Sequence, residues 1–550
     1  MKGKVKSHLI ALLVTVIVAA IGFYFLLPAI SIHNPGLLYN IVFLCIVYTA
    51  VFAIVYRKNY QFGILDSKGH INFKEIITSV KVTSIVAVVA LLIWGVGSIT
   101  GAVIFNAKRY QQLLTVENGD FLQDVDTISY NQIPTLDSAS AIRLGDKKLG
   151  ELSDMVSQFS VMDNYYTQIN YNGTPVRVTP LQYVDIFKWL NNSKNGIPGY
   201  IMINMVSQEV SLVRFSDMGS ENMKYSTAEH FGRNLYRHLR FNYPTFIFEE
   251  PTFEIDDNGV PFWVCAKVDY KIGLYGGRDI GGIVLVNAIN GECTYYDIKD
   301  VPTWIDRVYN ANLIIEQFDY HGTLRHGFFN SIFGQKDCQE TTDGYNYIAM
   351  NDDVYMYTGV TSVAADQSNV GFILTNQRTK ATKFYEIAGA EEFSAMSSAE
   401  GEVQNLRYEA TFPLLLNIGN EPTYFVALKD DAGLVRMYAM INVRQYQVVA
   451  TGQSLKECES NYIKLIKDAG VVVEDTTSVK VIESQITDIR TAVIEGNSYY
   501  FFKISDSDKT FTLSVAENTE IVTYNIGETI SIEYFDSENV VINALSIVKN

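Results

Sequence analysis

The chain reads as an α+β protein in three parts: an N-terminal three-helix transmembrane region, repeated helix-plus-antiparallel-sheet units, and a small C-terminal β-barrel that is OB-like. Three observations predict this class. Apolar stretches at about residues 9–30, 37–56 and 82–105 contain no charged side chain. The 445 residues beyond them turn polar, acidic and strand-like. Within those residues one hairpin pattern, an apolar strand ending in Asn and followed by a second strand, occurs four times.

Crossing a hydrocarbon core takes about 20 apolar residues, and each stretch reaches that length. The first follows Lys2, Lys4 and Lys6, as a signal peptide would. Its apolar run is too long for one, and Ser31-Ile32-His33-Asn34 lacks a small-residue cleavage pattern, so it is expected to stay attached. Intramembrane ionisable groups mark transport paths. The spans carry none, only groups such as Thr15, Cys45, Thr49, Ser84, Ser98 and Thr100, which predicts an anchor. Gly97 and Gly101 form a small-xxx-small pair that permits close packing in the third helix.

Basic residues in short loops set orientation. Lys2, Lys4 and Lys6 precede the first span, the loop at Ser31–Gly36 has no Lys or Arg, and the loop 57–81 carries Arg57, Lys58, Lys68, Lys74 and Lys81. The expected order is inside, outside, inside, outside, which places a cell-membrane protein with a cytoplasmic N-terminus and a large extracytoplasmic C-terminal region. Lys108 and Arg109 oppose this pattern, but long domains translocate largely regardless of charge.

Of 43 basic and 60 acidic side chains, residues 1–105 hold eight and two, leaving 35 basic against 58 acidic beyond the anchor. That balance excludes nucleic-acid binding through a broad basic field. Cys265, Cys293, Cys338 and Cys458 lie in the same region, too sparse for a disulfide scaffold and without Cys-x-x-Cys. Cys265 and Cys293 fall in strands of one unit and are the candidate disulfide pair. Four buried free thiols are the alternative.

The four hairpins start at Tyr200–Asn204, Ile283–Asn287, Phe372–Asn376 and Tyr438–Asn442. An exit Asn at 204, 287, 376 and 442 suits a turn, because its side chain accepts from the backbone two residues on and it tolerates left-handed geometry. An earlier hairpin precedes each one. Its turn is Asn172-Gly173 in the first unit and Asn258-Gly259 in the second, where Asn-Gly supplies the positive φ angles of a tight turn. Asn351-Asp352-Asp353 and Gly419-Asn420-Glu421-Pro422 take that place in the third and fourth. Expected helices are Asp146–Met155 and Thr227–Arg240, the latter opened by a Ser226–Glu229 capping box, with Phe231, Leu235 and Leu239 on one face. His230 and His238 then sit eight residues apart on one helix, beyond a shared metal. The structural alternative is that these are simply hairpins of one or two large β-rich domains.

The segment Val284-Leu285-Val286-Asn287-Ala288-Ile289-Asn290-Gly291-Glu292 resembles the closing hairpin of PepSY domains, small extracytoplasmic modules in which a helix packs on a sheet. The likeness covers about ten residues, strongest at 283–292; the other units keep the apolar-Asn step without Gly-Glu. It implies a binding or peptidase-modulating role and brings no catalytic residues.

A second capping box, Ser454–Glu457, opens a helix to about Lys467. After the polar link Glu474–Ser478, strand-like runs at 479–489, 498–504, 510–515, 529–534 and 540–547 fit a five-stranded barrel. Expected boundaries are therefore 1–105 for the anchor, 106–220, 221–312 and 313–470 for the units, and 471–550 for the barrel.

No Gly-x-Ser-x-Gly, His-Glu-x-x-His, Walker loop or Ser-x-x-Lys set occurs beyond the anchor, so no catalytic residue, metal or cofactor is assigned. The candidate ligand or metal loop is Glu316, Asp319, His321, Arg325 and His326, which joins carboxylates and imidazoles to Gly322 and Gly327. Ser394–Gly401 is rich in small residues but has no nearby base, and predicts a helix start or tight packing. The expected function is a membrane-anchored extracytoplasmic binding or scaffold protein for an envelope protein or peptide, modulating a peptidase or a membrane complex whose subunits contact the helices. The alternative is a cell-wall or envelope hydrolase with a site assembled from separated residues.

Overall fold

The three apolar stretches form α1 (Lys2–Leu26), α2 (Pro35–Asn59) and α3 (Lys81–Thr100). Each is long and apolar enough to cross a membrane. The computed structural model describes residues 2–59, 80–125, 133–350, 352–363, 365–469, 479–494, 497–515, 518–535 and 541–549. Lys68, Lys74, Asn351 and the link Glu474–Ser478 lie outside the described residues. The third stretch is not one helix to 105. It breaks at Gly101, and α4 (Val103–Gln111) begins after it.

Contacts divide the chain into two compact units, 1–465 and 466–550. Four sheets follow the spans in the first unit. Sheet 1 holds β2 (Phe159–Val161), β3 (Thr167–Tyr171), β4 (Thr174–Tyr183), β5 (Gly199–Asn204) and β6 (Val210–Arg214). Sheet 2 holds β7 (Ile247–Phe248), β8 (Thr252–Ile255), β9 (Pro261–Ile272), β10 (Gly276–Asn287) and β11 (Cys293–Asp297). Sheet 3 holds β12 (Gln339–Thr341), β13 (Asn346–Met350), β14 (Asp353–Ser362), β15 (Ala365–Asn376) and β16 (Thr382–Tyr385). To these, β1 (Val116–Asn118) adds in parallel on β16 and β17 (Gly389–Ala390) pairs with β15. Sheet 4 holds β18 (Glu409–Ala410), β19 (Leu414–Ile418), β20 (Glu421–Lys429), β21 (Val435–Asn442) and β22 (Val449–Gly452). In every sheet two short strands pair with the first long strand, which pairs with the second, which pairs with a closing strand.

One helix precedes each sheet: α5 (Ser138–Gly150), α6 (Leu235–Asn242), α7 (Ala311–Thr323) and α8 (Glu392–Glu402). Two of the expected helices move. The first starts eight residues earlier than Asp146, because Asp137 accepts from the Ser140 N–H and caps it. The second starts at Leu235, capped by Asn234, and not at the Ser226–Glu229 box. Glu229 is instead drawn into sheet 1, where its carboxylate accepts from Tyr183 Oη (2.7 Å) and Trp189 Nε1 (2.8 Å). A charge-assisted bond from a buried donor is stronger than a solvated cap. Phe231 is therefore outside the helix and exposed, while Leu235 and Leu239 are buried.

Sheet 2 is covered on both faces, and the period-two geometry of a strand shows how. Trp263, Cys265, Val284 and Val286 enter one core with sheet 1, α5 and α6. Val264, Ile283 and Leu285 enter another with Leu313, Ile314 and Phe318 of α7 and Ile373 of sheet 3. Double-sided burial is why Ile283–Val286 is apolar without alternation. It also makes Cys265 and Cys293 unsuited to a disulfide: Cys265 pairs with Val284 and Cys293 with Val286, so the whole of β10 lies between them. Two interstrand steps are about 9.5 Å, against about 5.5–6 Å between the Cα atoms of a bridge. Both are free thiols.

The turn residues divide in use. Asn204, Asn287, Asn376 and Asn442 each accept, through Oδ1, from the N–H groups two and three residues on, at 2.9–3.2 Å. Asn172 (φ 51°) and Gly173 (φ 76°) form a two-residue turn with both φ angles positive. The Asn258-Gly259 connection is a wider five-residue loop organised by Asp256, whose Oδ1 accepts from the N–H groups of Asn258 and Val260, so only Gly259 has positive φ.

The capping box at Ser454 opens α9 (Leu455–Asp468): Ser454 Oγ accepts from the Glu457 N–H, and Glu457 reaches back to the Gln453 N–H. In the second unit β23 (Val479–Ile494), β24 (Asn497–Ile504), β25 (Ser507–Ser514), β26 (Thr529–Phe535) and β27 (Val541–Lys549) close in the order β23-β24-β25-β27-β26. β23 runs past the expected Ile489. It pairs with β26 up to Gln485 and with β24 from Ile486, so one long strand closes the barrel. Phe502, Phe511, Ile530, Ile532 and Ile547 fill it.

Candidate interaction site beside the spanning helices

The β9–β10 hairpin is built from two twelve-residue strands, and its tip reaches the end of α3. Gly273 has φ +61°, and a Cβ there would lie 2.8 Å from the Gly101 backbone nitrogen. A Cβ on Gly97 would collide with Leu274 and Tyr275. The small-xxx-small pair of α3 thus receives a hairpin tip of this chain. Tyr110 Oη on α4 donates to Gly101 O (2.6 Å), Arg109 donates to Lys271 O (2.7 Å), and His33 Nδ1 meets Leu274 O at 2.9 Å.

The end of α1 is held by α6. Arg240, 9% exposed, donates from Nε to Leu27 O (2.9 Å) and from Nη1 to Tyr243 O (3.2 Å), Pro244 O (3.2 Å) and Phe246 O (2.7 Å). The Ile30 N–H donates to Pro244 O at 2.7 Å. Arg237 stacks over the Tyr24 ring at 4.2 Å.

Two clefts open beside this strut. One, of about 410 Å³, lies between Ser31 and His33 of the first loop and Phe246 with Lys267, Asp269 and Tyr270 of β9. The other, of about 450 Å³, lies between Phe25 of α1, Leu27 just after it, and Tyr236, Arg237, Phe248 and Glu249. The two-residue β7 contributes Ile247 to the first and Phe248 to the second. Because β7 pairs only with Val268 and Lys267, the β9 edge from Asp269 onward has no strand partner on that side among the described residues. Asp269 is flanked by Lys267 (2.8 Å) and Lys271 (3.6 Å), and His33 stacks on Tyr270 with ring centroids 6.3 Å apart. An open strand edge beside aromatic and charged side chains suits an extended peptide.

The expected ligand loop is mostly helix: Glu316, Asp319 and His321 belong to α7, which ends at Thr323. They do not converge. Glu316 pairs with Arg278 (2.9 Å), and Asp319 Oδ1 accepts from Thr341 N–H (2.9 Å) and Oγ1 (3.1 Å). His321 Nδ1 meets Gln111 O (3.2 Å), Arg325 is exposed, and His326 pairs with Asp337 (3.0 Å). Burial lifts the Asp319 carboxyl to about 6 and pulls His321 down. Among the described residues no group of three His, Cys, Asp or Glu is arranged to hold a metal ion. His230 packs edge-on against Trp189, off the helix that carries His238. His238 Nε2 meets Gly291 O (2.7 Å), and Gly291 sits under the Tyr225 ring.

Two carboxyls that sequence reasoning missed do come together. Glu254 on β8 and Asp306 before α7 are 0% and 1% exposed. Glu254 accepts from the N–H groups of Asp306 (2.9 Å) and Arg307 (3.1 Å), and Asp306 Oδ2 accepts from the Asn170 N–H on β3 (2.6 Å). Arg307 donates to Tyr347 Oη on β13 at 2.8 Å, so the cluster ties sheets 1, 2 and 3. Burial raises both carboxyls above their ordinary values, and Glu254 adds to the rise at Asp306. Sealed at this depth, the pair locks a junction and presents no face to a substrate. A buried Glu392 plays a similar part between sheets 3 and 4, accepting from Tyr357 Oη (2.8 Å) and Asn369 Nδ2 (3.1 Å). α8, which carries it, buries Ala395 and Ala399 against its surroundings, the packing use of the small-residue run.

No protein-family model matches the chain, and no curated protein matches it.

Proposed function

We propose that the chain is a membrane-anchored, extracytoplasmic binding and scaffold protein that receives an extended segment of an envelope protein or peptide along the open edge of β9. The observation that carries this reading is the β9 edge from Asp269, without a strand partner beyond β7 among the described residues and beside a cleft with His33 and Tyr270. Strand addition supplies affinity through main-chain hydrogen bonds and specificity through side-chain pockets. The N-terminus is cytoplasmic in this reading, and the receiving cleft sits where a peptidase or membrane-complex subunit would meet the anchor. The common pairing pattern of the four sheets and their four Asn turns support a repeated, PepSY-like unit. The strand order and the parallel β25–β27 pair support an OB-type barrel as a spacer or contact module. A hydrolase would draw on Glu254 and Asp306, whose burial favours binding over that alternative.

The test places a photo-crosslinking phenylalanine analogue at position 270, and at exposed position 446 as control, in the full chain in its native membrane. A discrete adduct from position 270, absent from position 446 and lost when the cleft is filled by His33→Trp, is expected. No adduct, or the same adducts from both positions, overturns the reading.

A further inference from the structure

We propose that the first compact unit makes a second contact with the bilayer: the aromatic segment Phe328–Phe333 enters the interfacial zone of the leaflet from which α3 emerges. The place where α7 ends carries the argument. His321 Nδ1 meets Gln111 O at the last residue of α4, the Tyr320 ring packs on Tyr110 at 4.8 Å, and Leu324 is buried in a cluster with Tyr110 and Ile272, against which Val103, Ala107 and Leu113 pack. Tyr110 bonds Gly101 O, and a Cβ on Gly101 would lie 3.3 Å from Ile272 O, so the cluster that buries Leu324 holds the end of α7 beside the end of the span. Val103 is three residues beyond Thr100, the end of the span. Gly101 lies nearer still, one residue past it, so the end of α7 stands at the polar layer that adds about 5–7 Å to each side of the hydrocarbon core.

From there the chain passes through Gly327 (φ +84°) into the π-helical turn Asn330–Gly334. Phe329, Ile332 and Phe333 are 65%, 50% and 80% exposed there, and residues 328–335 contain no charge. The segment is held in shape: Asn330 Nδ2 donates to Lys336 O (3.0 Å), the Gln335 N–H to Asn330 O (2.6 Å), and Cys338 Sγ to Thr323 O (3.2 Å). A built turn that displays its largest apolar side chains needs an apolar environment. The bilayer supplies one in continuity with the spans, since Phe105 of α4 is 70% exposed at the same emergence. Beside α1, Phe241 is 59% exposed with its ring edge-on to Phe23 at 5.8 Å. Aromatic rings at headgroup level are the usual interfacial anchors.

The experiment uses the full chain in phosphatidylcholine nanodiscs with and without brominated acyl chains, reading Phe333→Trp and Ile332→Trp as differences from the parent's four tryptophans. At these exposed positions the fold is retained, checked by circular dichroism. The added emission is expected to be blue-shifted and to fall by about half or more with brominated lipid, as for interfacial tryptophan. Tyr446→Trp, in the turn between β21 and β22, should be unaffected. Water-like, unquenched emission from both reporters overturns the proposal and leaves a protein partner to cover the segment; quenching equal to that of Tyr446→Trp overturns it too.

Discussion

Replacing Arg240 tests whether the anchor and the sheets form one rigid body. Its guanidinium makes two short bonds, to Leu27 O (2.9 Å) and Phe246 O (2.7 Å), and two longer ones to Tyr243 O and Pro244 O. Hydrogen bonds from a charged donor contribute about 1.5–3 kcal/mol each. Pro244 O keeps the Ile30 N–H in the variant, and of the four Arg240 bonds only that to Leu27 O joins α6 to the end of α1, since Tyr243, Pro244 and Phe246 directly follow α6. Arg240→Ala should lower the cost of separating α1 from α6 by about 1.5–3 kcal/mol, the contribution of the one bond that crosses between them. Each 1.4 kcal/mol is tenfold in an equilibrium, so local opening rises by about 10- to 100-fold. Hydrogen exchange of the full chain in nanodiscs reads this directly, through the Ile30 amide and the peptide around it. Arg240→Lys keeps the charge but cannot span both short acceptors, and should fall near the middle of that range in free energy. Exchange around Ile30 within about threefold of the parent would refute the strut, since that is under about 1 kcal/mol. Equal acceleration in β20 of sheet 4 would refute it as well, because the effect would then be global.

Asp319 should be a source of pH dependence. Its carboxyl is raised from 3.8 to about 6 in the folded chain, so the folded state holds the proton more tightly. Its contribution is complete in acid and is lost as pH rises through about 6, a change of at most about 3 kcal/mol. Asp319→Asn retains an acceptor for both Thr341 bonds, and urea midpoints at about pH 4 and about pH 8 should draw together in the variant; an unchanged difference removes the assignment. The thiols give a second check: denatured chain without reductant should titrate five free cysteines. In the folded chain, half-buried Cys293 should react before fully buried Cys265 and Cys458, and recovery of only three thiols on denaturation would contradict the strand spacing.

Local chemistry made much of this fold legible. Apolar strands with Asn at their exits located all four closing hairpins, because an Asn side chain that accepts two successive N–H groups is a short-range device. The Ser454–Glu457 box worked for the same reason. The Ser226–Glu229 box failed because Tyr183 and Trp189, some 40 residues away, claimed the carboxylate. The ligand cluster failed because residues close in sequence on α7 turn to different neighbours, Arg278, Thr341 and Gln111. Arg240 and the acid pair gave no local signal; their partners lie 213 residues away at Leu27 and 52 residues away between Asp306 and Glu254.

By itself the sequence determined the three spans, the alternation of helices and hairpins, and the acidic balance, since apolar length, strand period and charge need no partner to be read. Tertiary structure alone decided that sheet 2 is buried on both faces, that Cys265 and Cys293 stand apart across β10, and that Gly97 and Gly101 receive a hairpin tip. It also decided that β7 stops after two residues and leaves the β9 edge open. Each of these depends on which surfaces meet, and packing between elements far apart in the chain leaves no mark in any short stretch of it.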